Sequence, residues 1–161
     1  MEQKTRISAE EGKQELFITR EFHLPVELLF KAHADAEIIE QWMSFKDRTT
    51  KVVRQENEKY GIWELETIDN NGNKVFGSSG VTLEFVLNEK ITRTFEMENA
   101  PFPVQLEFMD FEKLTDDTSK LTMQMIFKSV DIRDQLLKMP FAYGINMAHD
   151  QIQAFFSKQK S

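Results

Sequence analysis

Residues 140–158 read PFAYGINMAHDQIQAFFSK. Apolar side chains recur there in steps of four, three, four and three residues, at Phe141, Ile145, Ala148, Ile152 and Phe155. This spacing places them on one face of an α-helix, and Pro140 suits the first turn because its missing N–H leaves no donor unpaired. At 1.5 Å per residue the helix would be about 28 Å long. The segment predicts one long C-terminal helix with a single apolar face.

Most of residues 15–130 reads as strands. Runs rich in β-branched and aromatic residues are separated by turn signals, of which the Asn-Gly pair within residues 69–72 is the strongest. The sequence GSSG at 77–80 predicts a bulge or a tight bend. Seven strands are expected, at residues 15–24, 49–55, 60–68, 74–87, 90–97, 104–113 and 119–130.

Two short amphipathic helices are expected between the first two strands. Pro25 ends the first strand and opens one helix, and Asp35 caps the next, whose apolar positions end at Trp42. A further short helix is expected from Asp131. Because only a sheet is available to cover the apolar face of the long helix, these elements predict an α+β fold with an antiparallel meander.

The composition indicates one globular domain over residues 15–161. The chain has 161 residues, of which 40% are hydrophobic, with 14 Phe and 8 Met, and this is enough for a substantial core. Residues 1–14 are charged and show no apolar periodicity, so they are expected to form a flexible or loosely attached tail. We expect a monomer or a weak dimer.

Charge and hydropathy restrict the partners. A net charge of -7 disfavours a nucleic-acid backbone or an anionic membrane as the main partner. No apolar run approaches the roughly 20 residues that span a bilayer, so no membrane insertion is expected. The polar N-terminus does not resemble a signal peptide, and with zero cysteines the chain is expected in the cytoplasm.

The sequence contains no motif for a cofactor or for catalysis. His23, His33 and His149 are not spaced as metal ligands, and neither a phosphate-binding loop nor a dinucleotide-binding glycine pattern occurs. We therefore expect no cofactor, no metal site and no catalytic residues. Glu66 and Arg93 lie in predicted strands, where either could point into a cavity, although the solvated face of the sheet is the favoured position of each.

Two features indicate a cavity beside the long helix. Gly144 costs about 1 kcal/mol relative to alanine in a helix, so something approaches closely there or space is left. The inward-facing candidates are also large and soft: Trp42, Trp63, Phe85, Phe95, Phe108, Met125, Phe127 and Met147. On residue types alone, a solid core rich in Phe and Met is the simpler interpretation.

The stretch ITREFHLPVELLFKAHADAEIIEQWM, residues 18–43, resembles the opening of START-like, helix-grip (SRPBCC) proteins. The matching positions are Arg20, Phe22, Pro25, Phe30, Ala32, Asp35 and Trp42. The branch that it resembles most contains homologues of the activator of heat shock protein 90 ATPase, and the likeness extends over residues 15–158. The chain departs from the family pattern at Met43, Gly61 and His33, so the family's ligand preference is not carried over to this chain.

The resemblance implies a helix-grip fold, in which a curved antiparallel sheet wraps around the C-terminal helix and encloses an apolar cavity. It also implies non-catalytic binding of a small hydrophobic or aromatic molecule. The implied ligand-binding residues are Trp42, Trp63, Phe85, Phe95, Phe108, Met125, Phe127, Met147 and His149. For His149, a polar anchor in the cavity and a partly exposed or internally satisfied histidine remain alternatives. Two other functions stay open: a chaperone-associated regulatory module, with a chaperone as partner, and a cyclase- or hydrolase-type enzyme.

Overall fold

One curved antiparallel sheet of eight strands holds a long C-terminal helix. The computed structural model describes residues 4–159. Its elements in chain order are β1 (Arg6–Ser8), β2 (Glu15–Phe22), α1 (Val26–Ala34), α2 (Ala36–Trp42), β3 (Arg48–Gln55), β4 (Ile62–Asp69), β5 (Lys74–Val86), β6 (Lys90–Met97), β7 (Gln105–Lys113), β8 (Ser119–Ile126), α3 (Val130–Leu137) and α4 (Phe141–Gln159). The strand order is β1-β2-β8-β7-β6-β5-β4-β3. The predicted α+β helix-grip fold is confirmed.

Strict alternation decides which side of the sheet faces inward. Even-numbered residues of β2 are buried, whereas in β7 and β8 the odd-numbered residues are buried. Because successive side chains of a strand point to opposite faces, one parity of each strand forms the inner surface. The main core brings together buried side chains of β2, β8, α1 and α4, including Leu16, Leu29, Leu121, Ile152 and Phe156.

The long helix packs tightly over only half of its length. Ile152 and Phe156, toward its C-terminal end, are buried at 0% and 4% relative exposure. Phe141, Ile145 and Ala148, on the same face near the N-terminal end, are only partly buried. The apolar stripe predicted from the sequence is therefore present, but its first half borders space rather than a filled core.

Side-chain caps fix where the short helices begin. The Asp35 carboxylate accepts a hydrogen bond from the Ile38 N–H at 3.2 Å, as predicted for the start of α2. The expected start of α3 at Asp131 is wrong, because Ser129 is the cap and its hydroxyl accepts from the Ile132 N–H at 3.2 Å. Across residues 4–159, none of the helices has the length and hydropathy needed to cross a bilayer.

The N-terminal segment is part of the fold. β1 pairs with β2 in antiparallel register, with Ile7 opposite Ile18. Thr5 is buried, and its N–H donates to the side chain of Asn146 on α4 at 3.2 Å. The expectation of a loosely attached tail over residues 1–14 is therefore wrong for residues 5–8, since tertiary contacts hold a segment that lacks periodicity of its own. Residues 1–3 lie outside the described part of the chain.

Gly80 allows β5 to pass directly over a buried tryptophan. The register shifts of β5 flank the stretch 77–80, where the sequence predicts a bulge: against β4 the shift lies between Lys74 and Phe76, and against β6 it lies between Thr82 and Glu84. A Cβ at Gly80 would overlap the carbonyl oxygen of Thr94 and would come within 2.6 Å of Trp63 Nε1. A side chain is excluded there by both the backbone of β6 and the indole ring.

Two glycine-to-alanine changes should alter stability in opposite directions. Gly80→Ala should lower the free energy of unfolding by about 1–3 kcal/mol, because β5 and β6 must separate to admit the methyl group.

Gly144→Ala should raise the free energy of unfolding by about 0.5–1 kcal/mol, since the added Cβ meets nothing within 4 Å and alanine favours the helix. Urea unfolding measures both changes, and a destabilised Gly144→Ala variant would contradict the open space beside α4.

Candidate functional site

A cavity of about 680 Å³ lies between the sheet and the N-terminal half of α4. Inner positions of β4 to β8 form its floor, and one side is closed by Ile39 and Trp42 of α2 together with Met43, the residue that follows this helix. Phe141, Gly144, Ile145 and Ala148 of α4 line the opposite wall. The cavity exists because the half of α4 that carries Gly144 is not packed against the sheet.

The structure brings six of the nine predicted site residues together in the cavity wall. These six are Trp42, Trp63, Phe95, Met125, Phe127 and His149. Trp63 and Phe95 form an aromatic pair with ring centroids 5.5 Å apart. The indole N–H groups of both tryptophans are satisfied by backbone carbonyls, Trp42 by Ala32 at 2.8 Å and Trp63 by Thr94 at 3.1 Å. Both rings are therefore fixed in place and present apolar surface to the cavity.

The placement of Phe85, Phe108 and Met147 in the cavity wall is wrong. Phe85 packs on the core side against Phe30, with ring centroids 5.3 Å apart. Phe108 has the outward parity of β7. Met147 is half-buried on α4 outside the cavity, beside the lining residue Ala148. For Phe108 the cause is a parity error of one residue, which exchanges the two faces of a strand.

The inward parity of β7 instead brings a polar group into the cavity. Gln105, Glu107 and Met109 line the wall. Glu107 accepts a hydrogen bond from Arg93 Nε at 2.9 Å and another from Gln105 Nε2 at 2.9 Å. The expected solvated position of Arg93 is therefore wrong, because Arg93 shares its parity with Phe95 and points into the cavity. Glu66 follows the expectation and forms a surface ion pair with Lys74 at 3.7 Å.

Sequence reasoning missed Gln105 and Glu107. The polar side chains of Gln105 and Glu107 favour an outward face for the odd positions. The large apolar side chain of Phe108 favours an inward face for the even positions. The signal that could have corrected this assignment is the pair Met109 and Phe111, which continues the odd parity as buried apolar residues.

His149 is a buried, neutral part of the cavity wall. Its Nδ1 lies 2.8 Å from Thr5 Oγ1, and its ring meets Phe22 edge-on at 5.7 Å. Burial lowers the pKa of His149 to about 3, with smaller contributions from His33 and from the positive charge of Arg20. The internally satisfied alternative is thus realised through a residue of the N-terminal segment.

His33 is the second buried histidine in the cavity wall. Its Nδ1 lies 2.9 Å from the Leu29 carbonyl oxygen, and the ring packs between Trp42 and Phe111 at centroid distances of 5.4 and 5.2 Å. Burial lowers the pKa of His33 to about 4, although the hydrogen bond to Leu29 opposes the shift. Both histidines are therefore uncharged at neutral pH, and the cavity gains no charge from them.

The geometry shows no ligand set for a metal. Over the described residues 4–159, no three His, Asp or Glu side chains are grouped so that they could hold an ion. The cavity offers instead a large apolar surface with one polar cluster, Arg93, Glu107 and Gln105, at one place on its wall. Such a surface can bury an apolar molecule and orient one polar group.

The fold and the cavity define a START-like helix-grip protein. Residues 23–157 match the family model described as "Activator of Hsp90 ATPase homolog 1-like protein", and the chain belongs to this family. Among curated proteins no match was found.

Solved structures share the fold at low sequence identity. Protein Ms6760 from Mycobacterium smegmatis is 20% identical with a TM-score of 0.83, and the alignment covers 94% of this chain and 96% of that one. A protein from Rhodobacter sphaeroides is 14% identical with a TM-score of 0.86, covering 96% and 99%. The AHSA1 protein from Silicibacter pomeroyi is 13% identical with a TM-score of 0.69, covering 90% and 99%.

Acidification should destabilise the fold through the two buried histidines. The unfolded chain protonates each imidazole below its ordinary pKa of 6.5, whereas the folded chain stays unprotonated until about pH 4 at His33 and about pH 3 at His149. The free energy of unfolding is therefore unaffected above pH 6.5. Below it, each histidine removes about 1.4 kcal/mol per pH unit as the pH falls toward the folded-state pKa.

Urea unfolding at a series of pH values between about 7.5 and about 4.5 measures this slope. His149→Gln should flatten it relative to the unsubstituted chain, because one of the two groups no longer titrates. His23→Gln is the matched control at an exposed histidine, and its free energy of unfolding should depend on pH with the same slope as that of the unsubstituted chain. Identical slopes for the unsubstituted chain and His149→Gln would contradict a buried neutral His149.

Proposed function

We propose that the protein binds a small hydrophobic or aromatic molecule in the cavity between the sheet and α4, without transforming it. The observation that carries the proposal is the largely apolar cavity of about 680 Å³. Trp63 and Phe95 offer fixed aromatic surface, and Met123, Met125 and Met97 offer adaptable thioether surface.

Burial of apolar surface would supply most of the affinity. A ligand that removes about 250 Å² of apolar area from water gains about 6 kcal/mol, and the loss of its translational and rotational freedom is subtracted from this. The rigid tryptophans favour binding because little side-chain entropy remains to be lost there. Open space beside Gly144, where an added Cβ would meet nothing within 4 Å, enlarges the cavity on the side of α4.

The family description favours a second candidate, a regulatory module that acts on a chaperone ATPase. This function would work through the protein surface and would not depend on an empty cavity. It predicts stimulation when the protein is mixed with Hsp90, and stimulation should persist in a variant with a filled cavity. Absence of stimulation at saturating protein would exclude this candidate.

A cyclase- or hydrolase-type enzyme is the third candidate. It requires two titratable groups within mutual reach in the cavity, and Arg93 and Glu107 meet that requirement at 2.9 Å. Both Glu107 oxygens, however, already accept hydrogen bonds from Arg93 and Gln105. This arrangement suits a fixed charge that orients a ligand better than a base that exchanges protons, so we favour binding.

Filling the cavity should weaken ligand binding. Ala148→Phe places a ring in the cavity wall and should weaken binding of the neutral fluorescent probe N-phenyl-1-naphthylamine at least about tenfold, because the added ring takes the space of the probe. Fluorescence titration measures the dissociation constants. Thermal unfolding shows whether the variant remains folded.

The matched control is Ala142→Phe, which adds the same ring to an exposed position of the same helix. It should leave the affinity for the probe unchanged. Equal affinities in both variants would place the probe outside the cavity and would overturn the proposal. Failure of the unsubstituted chain to bind this or any other neutral apolar probe would overturn it as well.

A further inference from the structure

Arg93 and Glu107 form a built pair inside the cavity. They are directly opposite each other on β6 and β7, and Arg93 Nε donates to Glu107 at 2.9 Å. The guanidinium group stacks over the Trp63 ring, with Cζ 4.1 Å from the ring centroid. The Glu107 side chain is 4% exposed and is also held by Gln105. Trp63 and Gln105 therefore fix the orientation of the pair.

The pair leaves hydrogen-bond donors of Arg93 open, whereas each oxygen of Glu107 already accepts one hydrogen bond. Arg93 uses Nε on Glu107, whereas Nη1 and Nη2 bond to no acceptor within residues 4–159 and are not sealed from access. Glu107 uses one oxygen on Arg93 and the other on Gln105. Since arginine has no acceptor atoms, the cavity offers N–H groups to a ligand at this point. A ligand with a hydrogen-bond acceptor therefore gains a contact here that a purely apolar ligand lacks.

The charges of the wall decide which kind of acceptor fits. The charged lining residues are Arg48, Arg93 and Glu107, and the two lining histidines are neutral. The Arg48 side chain is 50% exposed and lies near Asp47, so solvent screens it. At the inner pair, Glu107 already balances the charge of Arg93. A carboxylate brought there would be an unpaired buried anion beside Glu107, which is costly.

We propose that this pair selects small hydrophobic or aromatic ligands that carry a neutral acceptor, namely a carbonyl oxygen, and rejects the corresponding carboxylates. The carbonyl oxygen would accept from Arg93 Nη1 or Nη2, and Glu107 would be the residue that sets the specificity. The inference rests on the proposed function, because it assumes that the apolar part of the ligand enters the cavity.

Three matched probes test the inference in the full chain: 1-ethylpyrene, 1-acetylpyrene and 1-pyrenecarboxylate. They share one ring system and differ in carrying no acceptor, a neutral acceptor or an anionic acceptor. We expect 1-acetylpyrene to bind about tenfold more tightly than 1-ethylpyrene, since it gains a hydrogen bond to a charged donor. The carboxylate should bind at least about tenfold more weakly than the ketone. Tryptophan quenching gives all three dissociation constants.

Two variants assign these preferences to the pair. Glu107→Gln keeps the shape and leaves Arg93 without its counter-charge, so the affinity for the carboxylate should rise at least about tenfold relative to the ketone. The affinity ratio of carboxylate to ketone is compared between Glu107→Gln and the unsubstituted chain. The stronger hydration of the free carboxylate is the same in both measurements and therefore cancels. Arg93→Met should bring 1-acetylpyrene and 1-ethylpyrene to equal affinity within about twofold. Thermal unfolding of both variants tests whether the fold is retained.

The outcomes separate the two proposals. Suppose that 1-ethylpyrene binds the unsubstituted chain and that Ala148→Phe weakens this binding. If neither Glu107→Gln nor Arg93→Met then changes the preferences among the probes, the selectivity of the pair is overturned and the proposed function stands. If no probe binds the unsubstituted chain, the proposed function fails, and the inference fails with it. Should Glu107→Gln not fold, Arg93→Met alone still decides whether the acceptor preference depends on this pair.

Discussion

The partial packing of α4 is the constraint on which the rest of the structure depends. Ile152 and Phe156 are buried in the core formed with β2, β8 and α1, and they fix the helix against one half of the sheet. A rigid helix cannot bend to follow a sheet that curves away from it, so its other half is held above the sheet. The cavity is the volume that this geometry leaves, and Gly144 lies where the helix borders it.

Contacts from the start of the chain stabilise that arrangement from outside. Thr5 bonds to Asn146 and His149 of α4, and Arg20 pairs with Asp150 at 2.8 Å. These contacts connect β1 and β2 to the middle of the helix, at the boundary between the packed half and the half beside the cavity. Because the imidazole of His149 is neutral and bonded, the boundary introduces no uncompensated charge into the wall.

The functional conclusions follow from the difference between the apolar wall and the polar cluster of Arg93, Glu107 and Gln105. An apolar cavity by itself would bind many molecules of suitable size, since burial of surface is not directional. A hydrogen-bonding group fixed by a cross-strand pair and a stacked indole adds direction, and a buried pair of opposite charges adds discrimination by charge. Affinity and specificity therefore arise from different residues of the same cavity.

Periodicity in the sequence determined the helix of residues 140–158, the alternating strands and thereby the family of folds, because burial of one face leaves a local pattern. It also indicated Trp63 and Phe95, whose parity is unambiguous. Only the tertiary structure decided that Arg93 meets Glu107 in the cavity wall and that Thr5 supports His149. These positions depend on strand register and on contacts across more than a hundred residues, as between Thr5 and His149, and no local pattern records such contacts.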